Sequence, residues 1–146
     1  MHPGDITIAD YWGIEKAAPE FDDNKGVSLV LVNNEAGEKA FEKVTALYPE
    51  KLIIVTLGKD GALYHLEGKK DVISGKALQP VDTTGAGDAF VGGLLAGLSQ
   101  HPNWKENDVL VQIIRQANAC GALATTAKGA MSALPNQTQL AAFLAN

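Results

Sequence analysis

The run Asp82-Thr83-Thr84-Gly85-Ala86-Gly87-Asp88-Ala89-Phe90 follows the extended apolar stretch Leu78 to Val81 and opens the small-residue stretch Ala89 to Leu98, which has helical spacing. An extended segment, a glycine turn and a helix in this order are the marks of an α/β unit. Gly85, Ala86 and Gly87 carry little or no side chain, so consecutive backbone N–H groups can converge on an anion at the N-terminus of the helix. Asp88 follows on the first helical turn. A carboxylate beside a phosphate cradle repels the anion, and its placement is better explained as a proton acceptor for an attacking hydroxyl. The ordinary alternative is an acid that complements the helix dipole. The run is not a Walker loop, because no Lys-Ser or Lys-Thr pair follows. It is not the dinucleotide fingerprint either, because the third glycine is missing.

On both sides of this run the chain alternates extended and helical patterns. Val27 to Val32 and Leu52 to Leu57 are short apolar, β-branched runs suited to buried strands. Between them Asn34 is placed to cap a helix in which Ala40, Phe41, Val44, Leu47 and Tyr48 recur at helical spacing, and Pro49 ends it. Strand, helix, strand in this order predicts a right-handed parallel crossover. Gly58 to Gly61 reads as a turn, and Ala62 to Leu66 with Asp71 to Ser74 as a hairpin around Glu67-Gly68. Downstream, Val109, Ile113, Ala117, Cys120 and Ala124 share one helix face. The Ala and Gly density from Ala117 to Ala124 admits the close approach of another element or a flat ligand. Lys128-Gly129 marks a turn, and Gln137 to Leu144 a closing helix after Pro135.

Composition limits the function classes. Lys and Arg number 12 against 17 Asp and Glu, a net charge of -5. That balance argues against a nucleic-acid or anionic-membrane surface. No apolar run approaches a membrane span, and the first ten residues lack a basic region followed by an apolar core, so a cytoplasmic location is expected. The single cysteine, Cys120, excludes an internal disulfide framework and reads as a small buried side chain. His2, His65 and His101 show no metal-ligand spacing. Tyr11, Trp12 and Trp104 read as packing residues.

The extended run DTTGAGDAFVGG resembles the C-terminal signature of the PfkB sugar kinases, the ribokinase-like family. The resemblance continues in VTLGKDGALY, Val55 to Tyr64, and in NACGALATTAKGAMSALP, Asn118 to Pro135, a segment most like bacterial fructokinases and aminoimidazole riboside kinases. It covers the chain from Leu52 to the C-terminus. It implies a ribokinase-like fold, a Rossmann-like layered sheet with flanking helices, present here in part. Members of that family are considerably longer, and no diglycine sugar-binding motif precedes Asp82. Residues 1-25 match nothing in the pattern, and residues 26-146 are expected to form the C-terminal nucleotide-binding part of the kinase domain.

By resemblance, the activity is ATP-dependent phosphorylation of a sugar hydroxyl, with fructose the leading substrate and ribose or aminoimidazole riboside the alternatives. Asp88 would serve as general base in contact with the sugar, and Gly85, Ala86 and Gly87 as the anion hole. Thr56 and Gly58 of the TLG turn would face the nucleotide, and Asn118 would line the adenine pocket. Mg²⁺ would accompany ATP. Asp82, Thr84 and Gly129 correspond to positions around a monovalent-cation site, K⁺ in this expectation, although Ala133 stands where a hydroxyl residue is usual. The magnesium-associated NxxE motif is imperfect: Asn33 to Glu38 reads NNEAGE, and aligning on Asn34 puts Gly37 in the place of the glutamate. Glu35 and Glu38 are more simply first-turn acids. The partners expected are a sugar and ATP, with either a homodimer or a missing N-terminal half completing the site. The competing reading is a catalytically silent nucleotide-binding remnant or subunit.

Overall fold

A computed structural model of the chain describes residues 6–11, 27–32, 35–76, 78–129 and 133–145. It divides into two compact units, Met1–Ile73 and Ser74–Asn146. The first holds every described strand: β1 Ile6–Tyr11, β2 Val27–Val32, β3 Ile53–Thr56, β4 Ala62–Leu66 and β5 Lys69–Ile73, with the helix α1 Glu35–Leu47. The second holds α2 Ala86–Gln100, α3 Asn107–Ala124 and α4 Gln137–Ala145. No helix among the described residues is long and apolar enough to cross a membrane.

β3, β4 and β5 form an antiparallel sheet in that order, with Ile53 opposite His65 and Leu66 opposite Lys69. β4 is buried along its whole length. On one face Leu63 and Val55 pack with Phe41 of α1, bordered by Ile53 and Leu57. Lys70 lies over the Phe41 ring at 5.5 Å and its Nζ is 3.9 Å from the Glu42 carboxylate. That ion pair is exposed and contributes little. His65, also buried, has an Nδ1 with no hydrogen-bond partner among the described residues.

The hairpin expected around Glu67-Gly68 is present, with β5 starting at Lys69. Both connecting residues have positive φ, 50° at Glu67 and 80° at Gly68. This is the handedness a two-residue hairpin loop needs to match strand twist.

β2 and β3, the strands of the expected parallel crossover, lie close to each other across α1, but no ladder of hydrogen bonds joins them among the described residues. β2 pairs antiparallel with β1, Ile6 opposite Val32 through Tyr11 opposite Val27, while β3 pairs antiparallel with β4. β4 occupies one edge of β3 and leaves the other unpaired in this sheet. β3 reaches β4 through a tight turn in which the Leu57 N–H donates to the Gly61 carbonyl at 2.7 Å, and positive φ at Gly58 and Gly61 folds the chain straight back. Apolar patterning identifies a strand but not its neighbour. Asn34, the expected helix cap, lies outside the described residues.

The second unit follows the sequence expectation more closely. Ile113, Ala117, Cys120 and Ala124 are buried along α3. What approaches its small residues is α2. A Cβ on Gly93 would stand 2.8 Å from Cys120 Sγ and 3.2 Å from Ala117 Cα, and one on Gly97 would stand 2.6 Å from Ile113 Cγ2. The pairing runs antiparallel, and glycine is required where the helix axes come this close. Asn136 and Gln139 cap α4 reciprocally: the Gln139 amide donates to Asn136 Oδ1 and the Asn136 amide to Gln139 Oε1, each at 2.9 Å. Such a capping box satisfies two amides at the helix start.

Candidate active site

α2 starts from a glycine in a conformation that side chains resist. Gly85 has φ 80° and ψ 2°, the left-handed region, and it occupies the cap position with no side chain to bond the first amides. The Ala86 N–H reaches back to the Thr83 carbonyl at 3.3 Å, and the first full helical bond runs from the Ala89 N–H to the Gly85 carbonyl at 2.9 Å. The amides of Gly85, Gly87 and Asp88 therefore have no acceptor among the described residues. Gly87 and Asp88 are exposed, and a Cβ on Gly87 would meet nothing within 4 Å. Open donors at the positive end of a 15-residue helix are chemically able to receive an anion. The Asp88 carboxylate stands on the first turn of that helix.

The loop in front of α2 is tied to the segment after α3. Val81 and Asp82 donate their amides to the Thr125 carbonyl at 2.7 and 3.2 Å. The Asp82 carboxylate accepts the Thr84 amide on Oδ1 at 2.9 Å and the Gly129 amide on Oδ2 at 3.1 Å. The Thr84 amide foremost, then the Thr84 hydroxyl and the Gly129 amide, hold the Asp82 carboxyl below the ordinary aspartate range. Gly129, at φ 91°, turns the chain to present its N–H. The stretch Leu78 to Val81 is irregular rather than a strand, with Val81 60% exposed. Its last backbone amide is spent on Thr125.

Three of the residues singled out in the sequence, Asp82, Thr84 and Gly129, are thus brought together directly. Asn118 lies on α3 about one turn before Gly121, half-buried and hydrogen-bonded or otherwise engaged. Gly121 itself supports the cradle: a Cβ there would stand 3.1 Å from the Ala86 carbonyl oxygen. Thr56 and Gly58 belong to the first unit, where Gly58, at φ 60°, opens a one-turn 3-10 helix immediately after β3. Of NNEAGE, Asn33 and Asn34 lie outside the described residues and Glu35 to Glu38 begin α1. Among the described residues no three His, Cys, Asp or Glu side chains gather into a metal-binding group. Sequence reasoning missed Thr125, which acts through a carbonyl that any residue carries. Gly121 falls in the Ala and Gly stretch read as admitting close approach, and what approaches it is the first turn of α2.

The family model described as pfkB family carbohydrate kinase matches residues 18–137. The chain belongs to this family. Among pfkB relatives, the fructokinase of Vibrio alginolyticus is 55% identical over 116 residues, covering 80% of this chain and 38% of that protein. The aminoimidazole riboside kinase of Salmonella typhimurium is 50% identical over 93 residues, 64% of this chain and 29% of that one. Among solved structures, the fructokinase of Vibrio cholerae O395 in its fructose, ADP and calcium ion bound form superposes with a TM-score of 0.67 at 51% identity, covering 75% of this chain and 34% of that chain. The fold is accordingly ribokinase-like α/β, present in part. The chain spans little more than a third of the pfkB fructokinases it matches.

Proposed function

We propose that this chain contributes the phosphate-binding and base-bearing half of a site that transfers a phosphoryl group from ATP to a sugar hydroxyl, with fructose the leading substrate. One observation carries the proposal: open amides at the N-terminus of α2 stand next to an exposed carboxylate, Asp88, in a chain about half identical to fructokinases. Asp88 is positioned to accept the proton of the attacking hydroxyl, and the Gly85 to Gly87 backbone to stabilise charge growing on the transferred group. Thr56, Gly58 and Asn118 are assigned to the nucleotide. A divalent ion, Mg²⁺ in this reading, offsets phosphate charge and enters with the nucleotide. A monovalent cation is assigned to the neighbourhood of Asp82, Thr84 and Gly129, where each Asp82 oxygen accepts one amide and keeps a further lone pair.

The chain's coverage of only 38% of the Vibrio alginolyticus enzyme favours a second reading, a nucleotide-binding subunit or remnant without turnover of its own. Calorimetry with ADP and a coupled ADP-release assay with fructose, ribose and aminoimidazole riboside, run on the chain alone and on the chain joined to the N-terminal half of a pfkB fructokinase, separate the two: turnover by the joined protein supports the first reading and its absence the second. Binding of ADP without sugar-dependent release is the expected outcome for the chain alone, since one half of a bisubstrate site cannot hold the hydroxyl in line with the phosphate. No heat at millimolar ADP would remove the nucleotide assignment altogether.

A further inference from the structure

We propose that Asp82 is a positioning residue whose carboxylate braces the α2 start loop against the segment following α3, and so fixes the direction of the cradle amides. The inference rests on the reading of the α2 N-terminus as a phosphate site, and it adds a role that needs no bound cation. Four hydrogen bonds make the brace: the Val81 and Asp82 amides to the Thr125 carbonyl, and the Thr84 and Gly129 amides to the two Asp82 oxygens. Thr84 is a local partner, two residues on. Gly129 is 47 positions away in sequence, so this bond closes a loop containing both α2 and α3.

Chemistry explains why the residue is an aspartate. A carboxylate accepts in two directions at once, whereas an asparagine has one oxygen and would set an NH₂ group against the N–H it replaces. The other end of the brace is equally specific, since φ 91° at Gly129 suits glycine alone. From the opposite side Gly121 lets α3 close to 3.1 Å, measured from an added Cβ, on the Ala86 carbonyl. The first turn of α2 is therefore held between α3 and the brace. Without the long-range side-chain bond the loop keeps its Thr84 turn and its two amides on Thr125 but loses the tie to Gly129.

The test is amide hydrogen exchange by NMR on the 146-residue chain in potassium-free buffer, alongside ADP affinity by calorimetry. In the wild type the Thr84 and Gly129 amides should both be protected. Asp82→Asn should release Gly129 by roughly tenfold while sparing Thr84, and Asp82→Ala should release both. ADP binding should weaken by roughly tenfold in Asp82→Asn and further in Asp82→Ala. Gly97→Ala, destabilising but remote from the loop, should leave the affinity of the folded protein unchanged. An unprotected Gly129 amide in the wild type, or restoration of Asp82→Asn affinity by added potassium chloride, overturns the brace in favour of a pure cation ligand. Release of Gly129 with unchanged ADP affinity overturns the positioning role. If Asp82→Ala does not fold, the wild type and Asp82→Asn decide. Failure of the wild type to bind ADP would count against the phosphate-site reading, while the exchange series would still judge the brace.

Discussion

Asp88 has two physical reasons to stand where it does, and they differ in size. As an acid on the first turn of α2 it complements the helix dipole, a contribution of about 0.3–1 kcal/mol at an exposed position. As a general base it would account for about 10²- to 10⁴-fold in rate. Asp88→Asn keeps the shape and much of the polarity. In a full-length pfkB kinase carrying this segment, the substitution should lower turnover by about that factor while ADP affinity and thermal stability change little. Steady-state kinetics with calorimetry decide it, and near-normal turnover would leave Asp88 only its helix role. At this scale the glycine turn that opens α2 was legible in the sequence. Gly85 must adopt a left-handed backbone, and only glycine does so freely, so the chemistry is written in the residue type. Thr125 was not legible, because a carbonyl has no sequence signature. Asp82 was seen as a cation neighbour, and only the structure shows both of its oxygens already accepting amides.

Neighbouring glycines of α2 separate what a helix wants from what its partner allows. Gly92 is exposed and an added Cβ would meet nothing within 4 Å, whereas Gly93 faces Cys120 and Ala117. Gly92→Ala should therefore stabilise the chain by about 0.5–1 kcal/mol through helix propensity. Gly93→Ala, one position on, should destabilise it by about 1–3 kcal/mol through overpacking, net of the same propensity gain. Chemical denaturation of the two variants gives both signs. Equal stabilisation would mean that the helices stand further apart than the structure places them. The helices themselves could be read from apolar spacing because their hydrogen bonds are internal. Strand partners could not: the apolar pattern marks β2 and β3 as strands, but whether a ladder joins them or each pairs elsewhere is set by connections and register that the pattern does not carry.

For the chain as a whole, its single thiol provides a measurement independent of catalysis. Cys120 is buried, its Sγ occupying the space that the missing Gly93 side chain leaves, and burial pushes the thiol pKa up. Thiolate is the reactive form, so a raised pKa lowers its fraction at pH 8 in addition to the steric block. Iodoacetamide should therefore label the folded chain far more slowly than the urea-unfolded chain, and equal rates would contradict the close helix seam. Because α2 must part from α3 before reagent reaches the sulfur, each labelling event counts one opening of the element that carries the cradle. A ligand held at the start of α2 stabilises the closed form, and at about 100 times its Kd it lowers the population of the globally open form, and with it the rate of labelling, by about 100-fold. Cys120 labelling would thus report whether an added nucleotide occupies the start of α2, readable by mass spectrometry with no sugar present and no turnover required.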